Sequence, residues 1–168
     1  MKKLLSFLVV FGLIFSLSAC TKEPYEQISI TASELQEKLD NKDDFVLLIE
    51  RDGCAFCKKL NKYIKQTKEE HYNVTLYVLD ITGYELEQDP NDETKFTSES
   101  EEGKILLNLA PYFRYTPALY VVEDGQAVKE ALGFDDDHKT VAMWDTDSAI
   151  DFESAEADEF WDFVEDNQ

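Results

Sequence analysis

Basic residues are scarce in this sequence. Its 168 residues include 16 Lys and Arg against 36 Asp and Glu, which gives a formal net charge of −20. A chain this acidic repels phosphate backbones and anionic lipid surfaces, which argues against nucleic-acid binding and against flat adsorption on a membrane. No internal repeat is visible, so repeat architectures are not indicated.

Cysteine and histidine are also rare, with three and two residues respectively. Cys54 and Cys57 form a C-x-x-C pair, which on its own is half of a zinc site. No second pair exists, and the isolated His71 and His138 do not supply the missing ligands. We therefore predict no metal site and no cofactor.

Only one long hydrophobic run is present, over residues 4–17, directly after Lys2-Lys3. It is shorter than the roughly 20 residues of a membrane-spanning helix. The run ends in Leu17-Ser18-Ala19-Cys20, where small residues are typical of a secretory cleavage site. This motif also resembles the lipobox of bacterial lipoproteins. The alternative is an ordinary signal peptide followed by an unrelated cysteine.

The lipobox resemblance implies cleavage before Cys20 and a diacylglycerol on its sulfur. It divides the chain into a signal peptide at 1–19, a tether at 20–27 and a single domain at 28–168. The implied location is extracytoplasmic, with the protein lipid-anchored to the cell membrane of a bacterium, most simply a Gram-positive one.

Hydrophobic periodicity predicts alternating strands and helices in the remaining chain. Strands are predicted at 28–30, 45–49, 74–79, 118–122 and 127–132. Helices are predicted at 31–39, where Thr31 and Glu34 have the spacing of a capping box, at 58–68, at 101–110 and around Ala157, Phe160, Trp161 and Val164. Residues 81–100 are predicted as a long loop, and 133–153 show no assignable pattern.

The C-x-x-C pair follows the apolar run 45–49 and opens a predicted helix. A sulfur at a helix N-terminus is stabilised as a thiolate by unpaired backbone N–H groups and by the helix dipole. The second sulfur is one turn away, close enough to close a disulfide. This spacing predicts thiol–disulfide exchange, with Cys54 as the exposed attacking thiolate and Cys57 as the resolving thiol.

A second motif is Thr116-Pro117, which precedes the predicted strand 118–122 and its Asp124-Gly125 turn. Together with the cysteine pair, this motif resembles the thioredoxin family over residues 28–165. The resemblance implies an α/β, thioredoxin-like fold with a central mixed sheet flanked by helices. It also implies a cis peptide bond before Pro117, and a client segment that hydrogen-bonds the Thr116 backbone beside Cys54.

The sequence departs from the thioredoxin pattern near the cysteines. Gly53 stands where thioredoxins usually carry Trp, and Ala55-Phe56 replaces Gly-Pro. Leu48 stands at the position of the buried acid, and Glu50 is the nearest acid of the same strand parity. These differences leave the direction of electron flow open.

Two functions follow as expectations. The first is a membrane-tethered thiol–disulfide oxidoreductase that acts on the thiols or disulfides of exported proteins, with an unidentified membrane redox partner. The second is a binding or export-accessory module with a static disulfide, because the context of Cys54 is also similar to that of bacteriocin transport accessory proteins. Aromatic residues before Pro117 are expected either to line a client groove or to pack in the core: Tyr112, Phe113 and Tyr115.

Overall fold

A β-sheet of seven strands lies at the centre of the computed structural model, which describes residues 22–168. The described residues contain nine strands, of which all but β4 and β5 belong to this sheet: β1 (Glu26–Ile30), β2 (Phe45–Glu50), β3 (Thr75–Asp80), β4 (Leu86–Gln88), β5 (Phe96–Ser98), β6 (Ala118–Glu123), β7 (Gln126–Asp135), β8 (Thr140–Trp144) and β9 (Glu156–Glu159). The helices are α1 (Ala32–Asn41), α2 (Ala55–Thr67), α3 (Glu101–Leu109) and α4 (Phe160–Glu165). Within residues 22–168, no helix has the length and apolar character needed to span a membrane.

The sheet is mixed, with the order β1-β3-β2-β6-β7-β8-β9. β1 and β2 both pair with β3 in parallel, and every pairing from β2–β6 to β8–β9 is antiparallel. Parallel strands need a crossover connection, which α1 and α2 provide. These observations confirm the predicted α/β class with a central mixed sheet between helices.

The central strand β2 is buried on both faces, as its continuous apolar run predicts. Val46 and Leu48 belong to the core cluster covered by α2 and α4. Leu47 and Ile49 belong to the cluster covered by α1 and α3. Because the two clusters hold β2 from both sides, the residues that follow its carboxyl end have a fixed position.

Local sequence signals account for the start of α1 and for the β6–β7 hairpin. Thr31 and Glu34 form a capping box in which the Thr31 N–H donates to the Glu34 carboxylate at 2.7 Å. The hairpin turns on Asp124 and Gly125, whose φ angles are 51° and 76°. Two consecutive positive φ angles are typical of a type I′ turn. Both features were predicted from the sequence and are confirmed.

The prediction of an unstructured loop over 81–100 is wrong in part. This segment contains β4 and β5, which pair with each other as a separate two-stranded ribbon. Leu86 and Phe96 lie on the ribbon and pack against the core on the α1–α3 side. Strands of three residues are too short to be identified by a period-two pattern. The ribbon is stabilised by the packing of these two side chains against the core.

The segment after β7 also differs from the sequence-based prediction. The unassigned stretch 133–153 contains the end of β7 and the whole of β8. Ala157 lies in β9, so its predicted place in the last helix is wrong, and α4 begins at Phe160. β9 has the acidic sequence Glu-Ala-Asp-Glu, which has low strand propensity. Its pairing with β8 makes it a strand.

Candidate active site

The cysteine pair lies where β2 passes into α2. The turn between them includes Gly53, whose φ of 76° suits glycine. Cys54 is the N-cap of α2, and the N–H of Cys57 donates to Cys54 Sγ over 3.0 Å. The sulfur therefore takes the position that a Ser or Asp oxygen usually takes at a helix N-terminus.

Cys54 and Cys57 are joined by a disulfide, with Cα atoms 5.3 Å apart. Both residues are largely buried, with exposed fractions of 7% for Cys54 and 3% for Cys57. The prediction of an exposed Cys54 is therefore not met in the disulfide form, because the sulfur lies between the start of α2 and the segment before β6. Its small exposed area limits access to one side, that of the adjoining cleft.

The segment before β6 closes over the disulfide. Ala118 pairs with Ile49 at the end of β2, and this register brings the Thr116 carbonyl oxygen to 3.3 Å from Cys54 Sγ. A disulfide sulfur carries no hydrogen, so this is a contact and not a hydrogen bond. The peptide bond between Thr116 and Pro117 is cis.

Four of the predicted site residues therefore lie together: Cys54, Cys57, Thr116 and Pro117. Their roles in catalysis and client binding stay predictions. The fifth predicted residue, Cys20, lies outside the residues that the structure describes.

A cleft of about 450 Å³ opens beside Cys54. Gly53 and Thr116 line it next to the sulfur, and Leu86 and Phe96 of the β4–β5 ribbon line it further away. This wall was not predicted, because the sequence of the segment that forms it indicates a loop.

The strand order and the position of the cysteine pair together identify the fold. The parallel strands β1, β3 and β2 continue into the antiparallel strands β6 and β7. A C-x-x-C disulfide opens the helix that follows the central strand, and a cis-proline lies beside it. The fold is thioredoxin-like.

Solved structures that resemble it include thioredoxin f from spinach chloroplast, with 17% identity over 64% of this chain and 81% of that chain and a TM-score of 0.43. A mutant thioredoxin from Halobacterium salinarum has 18% identity over 88% of this chain and 95% of that chain, with a TM-score of 0.46. A thioredoxin-fold protein from Helicobacter pylori has 19% identity over 66% of this chain and 67% of that chain, with a TM-score of 0.34. No protein-family model and no curated protein matches the chain. The fold is therefore assigned from the strand order and the cysteine–proline geometry.

A second depression, a groove of about 600 Å³, lies on the other side of Thr116. Three aromatic side chains on its walls are unusually exposed: Phe56 (54%), Tyr115 (44%) and Phe152 (51%). The rings of Tyr115 and Phe152 meet edge to face, with centroids 5.3 Å apart. Large exposed apolar groups that cluster in this way are typical of interaction sites.

The three aromatic residues before Pro117 lie in three different environments. Tyr115 lines both the cleft and the groove. Phe113 is 2% exposed and belongs to the core, with one edge on the cleft. Tyr112 lies away from the cysteines, against a depression lined by Leu39 and Gln126.

The position of the buried thioredoxin acid is apolar in this protein. Leu48 lies fully within the core cluster beneath α2. Glu50, two residues later on the same face, is half-buried and accepts a hydrogen bond from Asn61 of α2 at 2.5 Å. The carboxylate therefore ties the end of β2 to the helix that carries the cysteines.

The two histidines are engaged elsewhere. His71 stacks on Trp161 with ring centroids 3.9 Å apart, and its Nδ1 lies 2.5 Å from the Glu165 carboxylate. The hydrogen bond between His138 and Asp135 lowers the pKa of Asp135 to about 2 and raises the pKa of His138. Among residues 22–168, no three His, Cys, Asp or Glu side chains are grouped as ligands of a metal ion.

Proposed function

We propose that this protein is a membrane-tethered, extracytoplasmic thiol–disulfide oxidoreductase that acts on exported proteins. One observation carries the proposal: the Cys54–Cys57 disulfide caps α2 and contacts the Thr116 carbonyl at the edge of an open cleft. When the disulfide is reduced, the N-terminus of the helix stabilises the thiolate form of the cysteine that caps it. The exposed edge of Cys54 faces the cleft through which a client sulfur approaches.

The exchange proceeds in two balanced steps. In the reducing direction, the Cys54 thiolate attacks one sulfur of a client disulfide, forms a mixed disulfide and expels the other client sulfur as a thiolate. The Cys57 thiolate then attacks Cys54 Sγ, which closes the Cys54–Cys57 disulfide and releases the second client thiolate. Two electrons pass from the protein to the client, and the oxidising direction is the reverse.

The test compares the wild type with Cys54→Ser and Cys57→Ser in insulin reduction and in the reactivation of scrambled ribonuclease. Wild-type activity is expected to disappear in Cys54→Ser. Cys57→Ser is expected to accumulate a mixed disulfide with the client, because the resolving thiol is gone. Activity that survives in Cys54→Ser would contradict the proposal.

The anchor has its own test. Cys20→Ala is expected to release the protein from bacterial membrane fractions, because the lipid has no sulfur to modify. The control Thr21→Ser, at the neighbouring position, keeps the cysteine and is expected to remain bound. Membrane retention of Cys20→Ala would show that the lipobox interpretation is wrong.

The low exposure of both cysteines favours a second candidate, a thioredoxin-fold binding or export-accessory module whose disulfide is static. A static bridge in an exported protein typically has a reduction potential below about −300 mV and resists glutathione. Titration against glutathione redox buffers separates the two functions. A midpoint well above that value supports exchange, whereas a bridge that stays closed supports the static module.

A further inference from the structure

Both arginines of the chain line the cleft beside Cys54. The sequence contains only two, Arg51 and Arg114, and the cleft lies between them. None of the 36 acidic residues of the chain is among the described residues that line this cleft. In a protein of net charge −20, a cleft whose charged lining residues are both cations requires a specific explanation.

The two guanidinium groups differ in their surroundings. Arg51 is exposed and forms no ion pair with a carboxylate in residues 22–168. Arg114 is half-buried, stacks over the ring of Phe96 at 5.7 Å and donates to the Glu93 backbone carbonyl. Neither contact neutralises its charge, and a guanidinium has five N–H donors. The β4–β5 ribbon thus holds Arg114 at the cleft with donors to spare.

The groove that adjoins the cleft has a different charge. The groove beyond Thr116 is lined by Asp135, Asp136 and Asp137, with Lys59 as its basic residue. The charged residues that line the cleft are therefore both cations, whereas those of the adjoining groove are mainly carboxylates.

We propose that the arginine-lined cleft binds a carboxylate carried next to the reactive sulfur of the client. This rests on the proposed function and names its substrate class. Planar guanidinium groups bind carboxylates through paired, charge-assisted hydrogen bonds, and Leu86, Phe96 and Phe113 form apolar walls between the two arginines. An Asp or Glu beside a client cysteine and the carboxylate of a small disulfide share this chemistry.

The test uses three small disulfides that share a two-carbon arm and differ in charge: 3,3′-dithiodipropionate (anionic), bis(2-hydroxyethyl) disulfide (neutral) and cystamine (cationic). The full chain is reduced with a small dithiol, which is then removed, and each disulfide is added at about 0.15 M salt. Samples are quenched with acid at intervals and freed of small molecules, and the thiols that remain on the protein are titrated. The anionic disulfide is expected to react faster than the neutral one, although the net charge of the protein favours the opposite order.

The ratio of anionic to neutral rate is the decisive quantity. A change in the thiolate fraction of Cys54 alters both rates equally, so the ratio reports recognition alone. We expect Arg51→Gln to reduce it about five- to tenfold, the range of a partly solvated charge-assisted contact. Lys65→Gln removes the same charge from the exposed far end of α2 and is expected to leave the ratio unchanged.

Arg114→Gln is a second variant, but it also removes a contact that holds the β4–β5 ribbon. Arg51→Gln therefore decides the result, because Arg51 is exposed and outside the core. A wild-type ratio of one or below, or a ratio that Arg51→Gln leaves unchanged, overturns the inference while the proposed function stands. If the wild type does not react with the neutral disulfide, the proposed function fails and the inference fails with it.

Disulfide-linked peptides with Glu, Gln or Lys beside the cysteine distinguish the sources of the carboxylate. A preference for Glu that depends on Arg51 assigns the cleft to side chains of protein clients. A preference seen only with the small disulfides assigns it to small thiols. Both outcomes support carboxylate binding, and no preference in either series overturns it.

Discussion

Glu130 is a buried carboxyl group whose ionisation destabilises the fold, and Glu130→Gln tests this directly. The residue is 2% exposed on β7 and lies opposite Tyr120 of β6 and Trp144 of β8. Within residues 22–168, neither Glu130 Oε1 nor the Tyr120 hydroxyl makes a hydrogen bond of normal geometry. Burial raises the pKa of Glu130 to about 7; the nearby Tyr120 hydroxyl acts to lower it, and the charge of Asp145 acts to raise it.

The magnitude follows from linkage. The unfolded chain loses this proton near pH 4.5 and the folded chain near pH 7, so the folded state binds more protons between these values. Stability conferred by the protonated group is fully present below pH 4.5 and is lost as the pH rises through 7. A pKa rise from 4.5 to about 7 corresponds to about 3 kcal/mol, a large share of a typical unfolding free energy of about 5–15 kcal/mol.

Glu130→Gln keeps the shape of the side chain and removes its ionisation. The variant is expected to match the wild type at pH 4 and to be about 2–3 kcal/mol more stable at pH 8. Urea unfolding of both oxidised proteins, extrapolated to water at several pH values, gives the difference. Glu123→Gln, an exposed residue at the end of β6, is the matched control and should show no such trend. A wild-type-to-variant difference that stays flat from pH 4 to 8 would refute the buried-charge argument.

Two further substitutions test the local geometry. Gly125→Ala is expected to destabilise the protein by about 2–4 kcal/mol, because the φ of Gly125 is 76° and a Cβ would lie 2.3 Å from the Leu39 carbonyl oxygen. Gly83 has a φ of 86° but open space around it, so Gly83→Ala should cost about half as much in urea unfolding. Equal costs would contradict the steric argument. Thr31→Ala is expected to lower the free energy of unfolding by about 1 kcal/mol, because it removes the side-chain cap of α1. Thr31→Ser keeps a capping hydroxyl and should retain most of the stability. An unchanged urea midpoint in Thr31→Ala would show that the cap contributes nothing.

The parts of the fold that local patterns encode were predictable. The apolar run of β2, the capping box of α1 and the Asp124-Gly125 turn each have a signal within a few residues, and each is found where predicted. The same holds for the approach of Thr116 to Cys54, which the thioredoxin resemblance implied and which the β2–β6 register produces.

The parts that depend on contacts between distant segments were missed. β4 and β5 are three residues each, and the acidic β9 forms a strand by pairing with β8. Glu130 carries no sequence signal of burial, but β7 lies between β6 and β8 and the residue is 2% exposed. The same reason explains Arg114, which lies at the cleft because Phe96 of the ribbon supports it. None of these residues carries a local signal for its environment.

The segments that were predicted hold the disulfide, whereas the segments that were not predicted form most of the walls around it. The exchange chemistry requires only the β2–α2 junction and the segment before β6, which hold the disulfide and its contact with Thr116. The walls that would meet a client come largely from the segments that the expected strand–helix order did not include. The β4–β5 ribbon supplies Phe96 and supports Arg114, and the region from β8 to β9 supplies Phe152. Under the proposed function, client choice is therefore separable from exchange: changes in the ribbon should alter which disulfides react, whereas a neutral small disulfide should still react at Cys54.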